Sequence, residues 1–332
     1  MDSRVFFNSV LAGLAIAISL FFGGCDKIKD LISISDEWYL EEPFPGRNRS
    51  NPVAFSLNNY GYVGLGWNEG GLNDFWRFDS WDLDTIPAWD TVAYFPGAGR
   101  KEAVSFTIGN YAYVGLGGDY IKHKARDTFY NDFYKYDGML DQWTKVATFP
   151  GLGRMGGMAF SDGQYGYVLG GRSVLENGTE VFAKDFWLYN PLSNEWSRQP
   201  DFQGEGRQNG VAFYLQNTAY VGTGFGTGGK NYDDFWLYNP KTQAWSRGPN
   251  FLGGSREGAI AYATDTLAYV GLGWKNGVLM NDFWEFAPKS NSWAKRKDFA
   301  GSARTNSACF SFGRIGYVGV GYNSRDFWFY QP

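Results

Sequence analysis

A unit of about fifty residues recurs six times along the chain, each copy alternating short β-branched and aromatic stretches with Gly, Asn, Asp and Pro turns. No stretch after residue 36 sustains the 3.6-residue apolar period of a helix. Together these observations predict an all-β fold: a six-bladed β-propeller with four antiparallel strands in each blade. The composition agrees. With 45 Gly among 332 residues and no collagen period the chain favours tight turns, and 28 Phe, 22 Tyr and 14 Trp supply ample apolar surface for a core.

Three landmarks recur in fixed order. An arginine is followed six residues later by an aromatic: Arg49/Phe55, Arg100/Phe106, Arg154/Phe160, Arg207/Phe213, Arg256/Tyr262 and Arg304/Phe310, with arginine spacings of 51, 54, 53, 49 and 48. A Tyr-Val step then runs into glycines, as in YGYVGLG at 60–66 and YGYVLGG at 165–171. An Asp-Phe-aromatic step completes the set, opening at Asp74, Asp132, Asp185, Asp234, Asp282 and Asp326. These mark the first, second and third strands; a lone tryptophan marks the fourth, at Trp89, Trp143, Trp196, Trp245 and Trp293.

A diglycine closing the second strand, an aromatic in the third and Trp in the fourth resemble the kelch family, and the likeness covers nearly all of residues 36–331. The diglycine stands as Gly117-Gly118 and Gly170-Gly171 and is spread to Gly-x-Gly elsewhere. Trp38 is a fourth-strand tryptophan placed before the first arginine, and the last copy stops after its third strand. The N-terminal strand around Trp38 is therefore expected to complete the last blade and hide both sheet edges.

The first residues read as an address. After Met1-Asp2-Ser3-Arg4 the chain is almost wholly apolar from Val5 to Phe22, then continues Gly23-Gly24-Cys25 and a polar stretch. The apolar run Val10 to Phe22, broken only by Ser19, is short for a membrane span and suits a signal peptide. Phe22-Gly23-Gly24-Cys25 resembles a bacterial lipobox, with Phe22 in the place usually taken by Leu. The resemblance implies a lipoprotein signal peptide over 1–24, a lipidated Cys25 with a tether over 25–35, and a propeller over 36–332. It also implies a protein held in the bacterial cell envelope by its lipid; between the two membranes the outer is favoured over the inner, which Asp26 does not decide.

In a four-stranded meander, the fourth-to-first and second-to-third connections share one face. Six arginines (Arg49, Arg100, Arg154, Arg207, Arg256 and Arg304) are expected around the channel mouth there. A second ring follows the second-strand glycines, where Trp67, Gly118, Arg172, Phe225, Trp274 and Tyr322 stand in equivalent slots. Aromatic faces beside arginine forks suit a glycan, an acidic small molecule or a partner protein. The competing expectation is a scaffold role, with the arginines bound to neighbouring carbonyls or to the repeated aspartates. Residues that break the symmetry are the stronger candidates: Arg172, Trp67, Trp274, Phe225 and the 118–131 loop with Tyr120, Lys122, His123 and Arg126.

Several functions are excluded by counting. The kelch fold is shared with copper-radical galactose oxidases, whose site needs two histidines and a cysteine-linked tyrosine. This chain has one histidine, His123, and beyond Cys25 only Cys309, which is expected to be a buried small hydrophobe. No metal and no cofactor is expected, and Asp79, Asp82, Asp84 and Asp90 read as a solvated loop. A net charge of −4 without a basic run argues against nucleic acid. The expectation is an anchored propeller that binds its ligand without chemistry. One alternative is a sugar mutarotase, since some periplasmic six-bladed kelch propellers that this chain resembles act on sialic acid with Arg and Glu at the mouth; Arg100, Glu102, Glu205, Arg207, Arg256 and Glu257 are the candidates here. Another is a structural subunit of an envelope assembly.

Overall fold

The computed structural model describes residues 35–80, 88–121, 126–322 and 324–332. The expected signal peptide with Cys25 lies outside them, as do Asp82, Asp84, Lys122 and His123. The described residues form strands, turns and connections, with no helix among them.

Six four-stranded antiparallel meanders follow one another through Glu37–Gln331. Sheet 1 comprises Val53–Leu57, Tyr60–Gly64, Phe75–Phe78 and Trp89–Val92. Sheet 2 comprises Val104–Ile108, Tyr111–Gly115, Phe133–Asp137 and Gln142–Lys145. Sheet 3 comprises Met158–Ser161, Gly166–Leu169, Phe186–Asn190 and Glu195–Gln199. Sheet 4 comprises Val211–Leu215, Thr218–Gly222, Phe235–Asn239 and Ala244–Arg247. Sheet 5 comprises Ile260–Ala263, Ala268–Gly271, Phe283–Ala287 and Ser292–Arg296. Sheet 6 comprises Ala308–Phe312, Ile315–Gly319 and Phe327–Gln331, completed by Glu37–Glu41 from the other end of the chain.

The repeated residues meet one another. The aromatic six places after each arginine lies directly across the strand pair from the tyrosine of the Tyr-Val step: Phe55 from Tyr62, Phe106 from Tyr113, Phe160 from Tyr167, and likewise in the other three sheets. All six pairs stack with centroids 4.8 to 5.3 Å apart. Each such pair adds about 0.5–1.5 kcal/mol beyond its area burial.

The fourth-strand tryptophans join neighbouring sheets. Each packs on the Phe of the preceding sheet's Asp-Phe step, as Trp143 on Phe75 at 5.1 Å and Trp196 on Phe133 at 4.9 Å. The two contacts that close the ring follow the same rule: Trp38 lies 4.9 Å from Phe283, and Trp89 5.0 Å from Phe327. Glu37–Glu41 pairs antiparallel with Phe327–Gln331, Trp38 opposite Tyr330, so each strand covers the other's edge. The second-to-third connections of sheets 2 to 5 fold into short ribbons, such as Gly118–Ile121 with Arg126–Phe129 and Arg172–Val174 with Glu180–Phe182.

Candidate functional site

The six arginines do not present their forks to a ligand. Each is at most 2% exposed. Their Nη1 and Nη2 atoms grip both oxygens of the repeated aspartate, as in Arg49–Asp74 at 2.8 and 2.6 Å and Arg207–Asp234 at 2.5 and 3.0 Å. Nη1 also donates to the carbonyl sixteen residues on, and Nε to the carbonyl two residues back. A phenylalanine ring covers each guanidinium at 4.8 to 5.1 Å. The expected cationic mouth of Arg49, Arg100, Arg154, Arg207, Arg256 and Arg304 is thus corrected to a set of internal clamps. Burying a charge demands that its donors find partners, and these have found theirs. The donors of Arg100, Arg207 and Arg256, also candidates for chemistry, are all engaged in this way.

The mouth is built by the residues that follow them. Two places after each arginine stand Asn51, Glu102, Gly156, Asn209, Gly258 and Asn306, all with φ between 51° and 65°. Their amides and carbonyls join in a closed cycle: Glu102 N donates to Asn51 O, Gly156 N to Glu102 O, Asn209 N to Gly156 O, Gly258 N to Asn209 O, Asn306 N to Gly258 O, and Asn51 N back to Asn306 O, at 2.8 to 3.3 Å. This left-handed conformation favours Gly and Asn, which occupy five of the six places. Glu102 is the exception. One place earlier in the chain, Ser50, Lys101, Met155, Gln208 and Glu257 bridge to Trp67, Gly118, Arg172, Phe225 and Trp274, which sets these five post-glycine residues next to the mouth.

The mouth cavity, about 130 Å³, is lined by Asn51, Glu102, Asn209, Asn306 and their neighbours. It adjoins about 220 Å³ of channel walled by the innermost strands. Charge gathers on one side. Lys101 Nζ lies 4.0 Å from Glu102 Oε1 and 5.9 Å from the centroid of the Trp67 ring. Arg172 donates to Asp127 Oδ2 at 2.6 Å and to Glu180 Oε1 at 3.2 Å, and lies over Phe129. Burial pushes the Glu102 carboxyl above its ordinary range; Lys101 and Arg172 pull it back, and Glu257 and Asp127 push it further up. Burial likewise raises Glu257, against a hydrogen bond from Asn209. Around the opening, Trp67 Nε1, Gln208 Oε1 and Ser307 Oγ are buried without a partner. The mouth therefore combines cations, a carboxyl of raised proton affinity, indole surface and unanswered polar atoms.

The other expected residues divide. Trp67 and Phe225 are half-buried, while Trp274 and Tyr322 are 45% and 56% exposed. Glu205 is exposed and two places ahead of its arginine rather than on the inner cycle, so it does not join Glu102. Tyr120 is exposed on its ribbon; Asp90 pairs with Arg77 at 2.9 Å. Cys309, expected as a buried small hydrophobe, packs against the core of sheets 5 and 6. It is half-buried in the channel wall, its Sγ 3.2 Å from Ala261 O, and desolvation pushes the thiol up to about 12. Sequence reasoning missed the inner cycle itself. Its signal was present as Asn or Gly two places after five arginines, with Glu102 alone breaking the series.

The chain resembles several known proteins. The model of the KLHDC2/KLHL20/DRC7 Kelch-repeats domain matches residues 109–321. N-acetylneuraminate epimerase of Haemophilus influenzae (strain 86-028NP) is 28% identical over 189 residues, 48% of each chain. That of Yersinia pestis (strain Pestoides F) is 34% identical over 141 residues, 41% of this chain and 33% of the relative. The chain thus spans at most about half the length of these curated relatives. Among solved structures, one titled "Structure of YjhT" superposes with a TM-score of 0.69 at 16% identity, covering 87% of this chain and 94% of the other. With its six arginine-clamped meanders and a family match over residues 109–321, the chain belongs to the kelch-repeat propellers.

Proposed function

We propose that this propeller binds an acidic sugar, of the sialic acid class, at the channel mouth. The observation that carries the reading is Glu102: a half-buried carboxyl in a left-handed position that five other copies give to Asn or Gly, flanked by Lys101 and Arg172. Lys101 supplies a charge for a ligand carboxylate, and Arg172 retains N–H donors beyond its two acidic partners. Trp67 and Trp274 offer faces for the sugar ring and its acyl group. Asn51, Asn209 and Asn306 offer amides to hydroxyls.

Epimerisation of that sugar is the second reading. It is supported by the N-acetylneuraminate epimerases among the relatives and by the raised carboxyl of Glu102, since a group titrating closer to neutrality gives and takes protons more readily. One pair of measurements on N-acetylneuraminate separates the outcomes. Saturation-transfer NMR reads binding, and anomer-exchange NMR reads turnover. Binding lost in Glu102→Gln and Lys101→Ala, without accelerated exchange, supports recognition alone; accelerated exchange lost in the same variants supports the epimerase. No binding to the wild type would overturn both.

The proposal places this mouth in the cell envelope, with the propeller tethered through lipidated Cys25, at the outer membrane. Labelling cells with radioactive fatty acid should mark the wild type and not Cys25→Ala; equal labelling of the two would overturn the anchor.

A further inference from the structure

A cavity larger than any compartment of the channel opens beside its far end, sharing Tyr214 with it. A cleft of about 1110 Å³ is lined by the first-to-second and third-to-fourth hairpins of sheets 3 and 4, away from the Glu102 cycle. Two neighbouring junctions carry a side-chain fastening that this one lacks. Where sheet 1 meets sheet 2, Asp141, at φ 50°, accepts the Ala93 N–H at 2.8 Å and the Tyr136 hydroxyl at 2.7 Å. Where sheet 2 meets sheet 3, Asn194 does the same for Ala147 at 2.9 Å and Tyr189 at 2.8 Å. These short side chains fasten each hairpin to the connection beside it.

At the next junction Pro200 takes the place of Ala93 and Ala147, as the indole bonds show: Trp143, Trp196 and Trp245 donate to the carbonyls of Ala93, Ala147 and Pro200. Proline has no N–H to give. The corresponding left-handed residue is Gln243, at φ 52°, and Tyr238 turns its hydroxyl to Gln199 Oε1 instead, at 3.3 Å. The fastening is missing, and Gln243 lines the cleft with its amide unpartnered among the described residues.

The lining points to one chemistry. Tyr214 is half-buried, its ring parallel to Phe160 within 1° and its centroid 6.4 Å away, which makes a fixed aromatic platform with a free hydroxyl. Gln243 and Asn217 add amides that both donate and accept, the complement of a row of hydroxyls. Charge is sparse. Asp162 is engaged by the N–H groups of Gln164 and Tyr165 and by the Tyr167 hydroxyl, which leaves one acid, Glu195, and one base, Lys241, in the lining. The volume exceeds that of typical single-ligand pockets, about 300–1,000 Å³, and accommodates several sugar rings.

We propose that this cleft binds a neutral oligosaccharide, stacked on Tyr214 and read by Gln243 and Asn217, at a site independent of the channel mouth. The test is saturation-transfer NMR and calorimetry on the full-length protein with a panel of neutral trisaccharides: maltotriose, cellotriose, laminaritriose and chitotriose. At least one is expected to bind, and Tyr214→Ala and Gln243→Ala are each expected to weaken it by about tenfold or more. Gln243 is exposed, so its variant keeps the test meaningful should Tyr214→Ala lose stability. Trp274→Ala should leave this binding unchanged. Silence from all four sugars, or binding that survives Gln243→Ala and disappears in Trp274→Ala, overturns the proposal.

Discussion

Arg207 and Asp234 meet as a two-pronged fork, Nη1 to Oδ1 at 2.5 Å and Nη2 to Oδ2 at 3.0 Å, with the Phe202 ring 5.1 Å from the guanidinium carbon. The same fork recurs in every sheet. Arg207→Ala should therefore destabilise the ring by about 3–5 kcal/mol, the usual cost of leaving one member of a buried pair alone. Arg207→Lys should recover little of it, because an ammonium cannot reproduce the fork, the carbonyl contacts and the ring stacking together. Urea unfolding of the two variants checks this; wild-type stability in Arg207→Lys would contradict it.

The aspartates give the fold its acid limit. Burial alone would raise the carboxyls of Asp74, Asp185, Asp234, Asp282 and Asp326. The hydrogen bonds and charge of the arginine, with an indole N–H, outweigh it and hold all five below the ordinary range, Asp326 at about 2. A carboxyl depressed in the folded state contributes stability above its unfolded value, near 3.9, and loses it as pH falls through the folded value. For Asp326 that window runs from about 4 down to about 2. Melting temperature should fall steeply through it, and Asp326→Asn should flatten the fall. An unchanged slope in that variant would remove Asp326 from the account.

Ring closure rests on Trp38. It is 7% exposed, lies 4.9 Å from both Phe283 and Phe299, and donates its indole N–H to Lys297 O. Trp38→Ala should cost about 3–5 kcal/mol, and deletion of residues 31–42 should abolish cooperative melting. The neighbouring Glu37–Lys297 pair is exposed, so Glu37→Ala should change stability by less than about 1 kcal/mol. Differential scanning calorimetry separates these expectations.

The fold was legible because its determinants repeat. Phe55 with Tyr62, Trp143 with Phe75 and Arg49 with Asp74 each stand for six equivalent contacts, so a packing rule appears as a spacing rule. Repetition also misled. An arginine at the start of every innermost strand reads equally as a cationic rim or as a partner for the repeated aspartate, and geometry decides for the second: its guanidinium turns back toward Asp74 or Asp234 rather than toward the opening. The mouth was harder to read because its distinguishing feature is a backbone conformation. Nothing in the letter Glu at 102 announces φ 54°, until it is set against Asn51, Asn209 and Asn306. The Gln243 cleft was hidden for a related reason: the fastening it lacks is recognisable only when Pro200 and Gln243 are set beside Ala147 and Asn194.

Glu102 should trade stability for binding. Its left-handed backbone costs a side-chain-bearing residue about 1–2 kcal/mol, less for Asn, whose short polar side chain tolerates the region. Burial also holds its carboxyl above the unfolded value near 4.3, so folding shifts it toward the protonated form relative to the unfolded chain. A group raised in this way contributes stability at low pH and loses it as pH rises through the folded value. Glu102→Asn should therefore melt at a higher temperature than the wild type, and the gap should widen from pH 4 to pH 7. The same variant should bind N-acetylneuraminate about tenfold or more weakly, since it removes the one carboxyl on the inner cycle. A variant that is no more stable and binds as well as the wild type would show that Glu102 is an incidental substitution in the ring of asparagines and glycines.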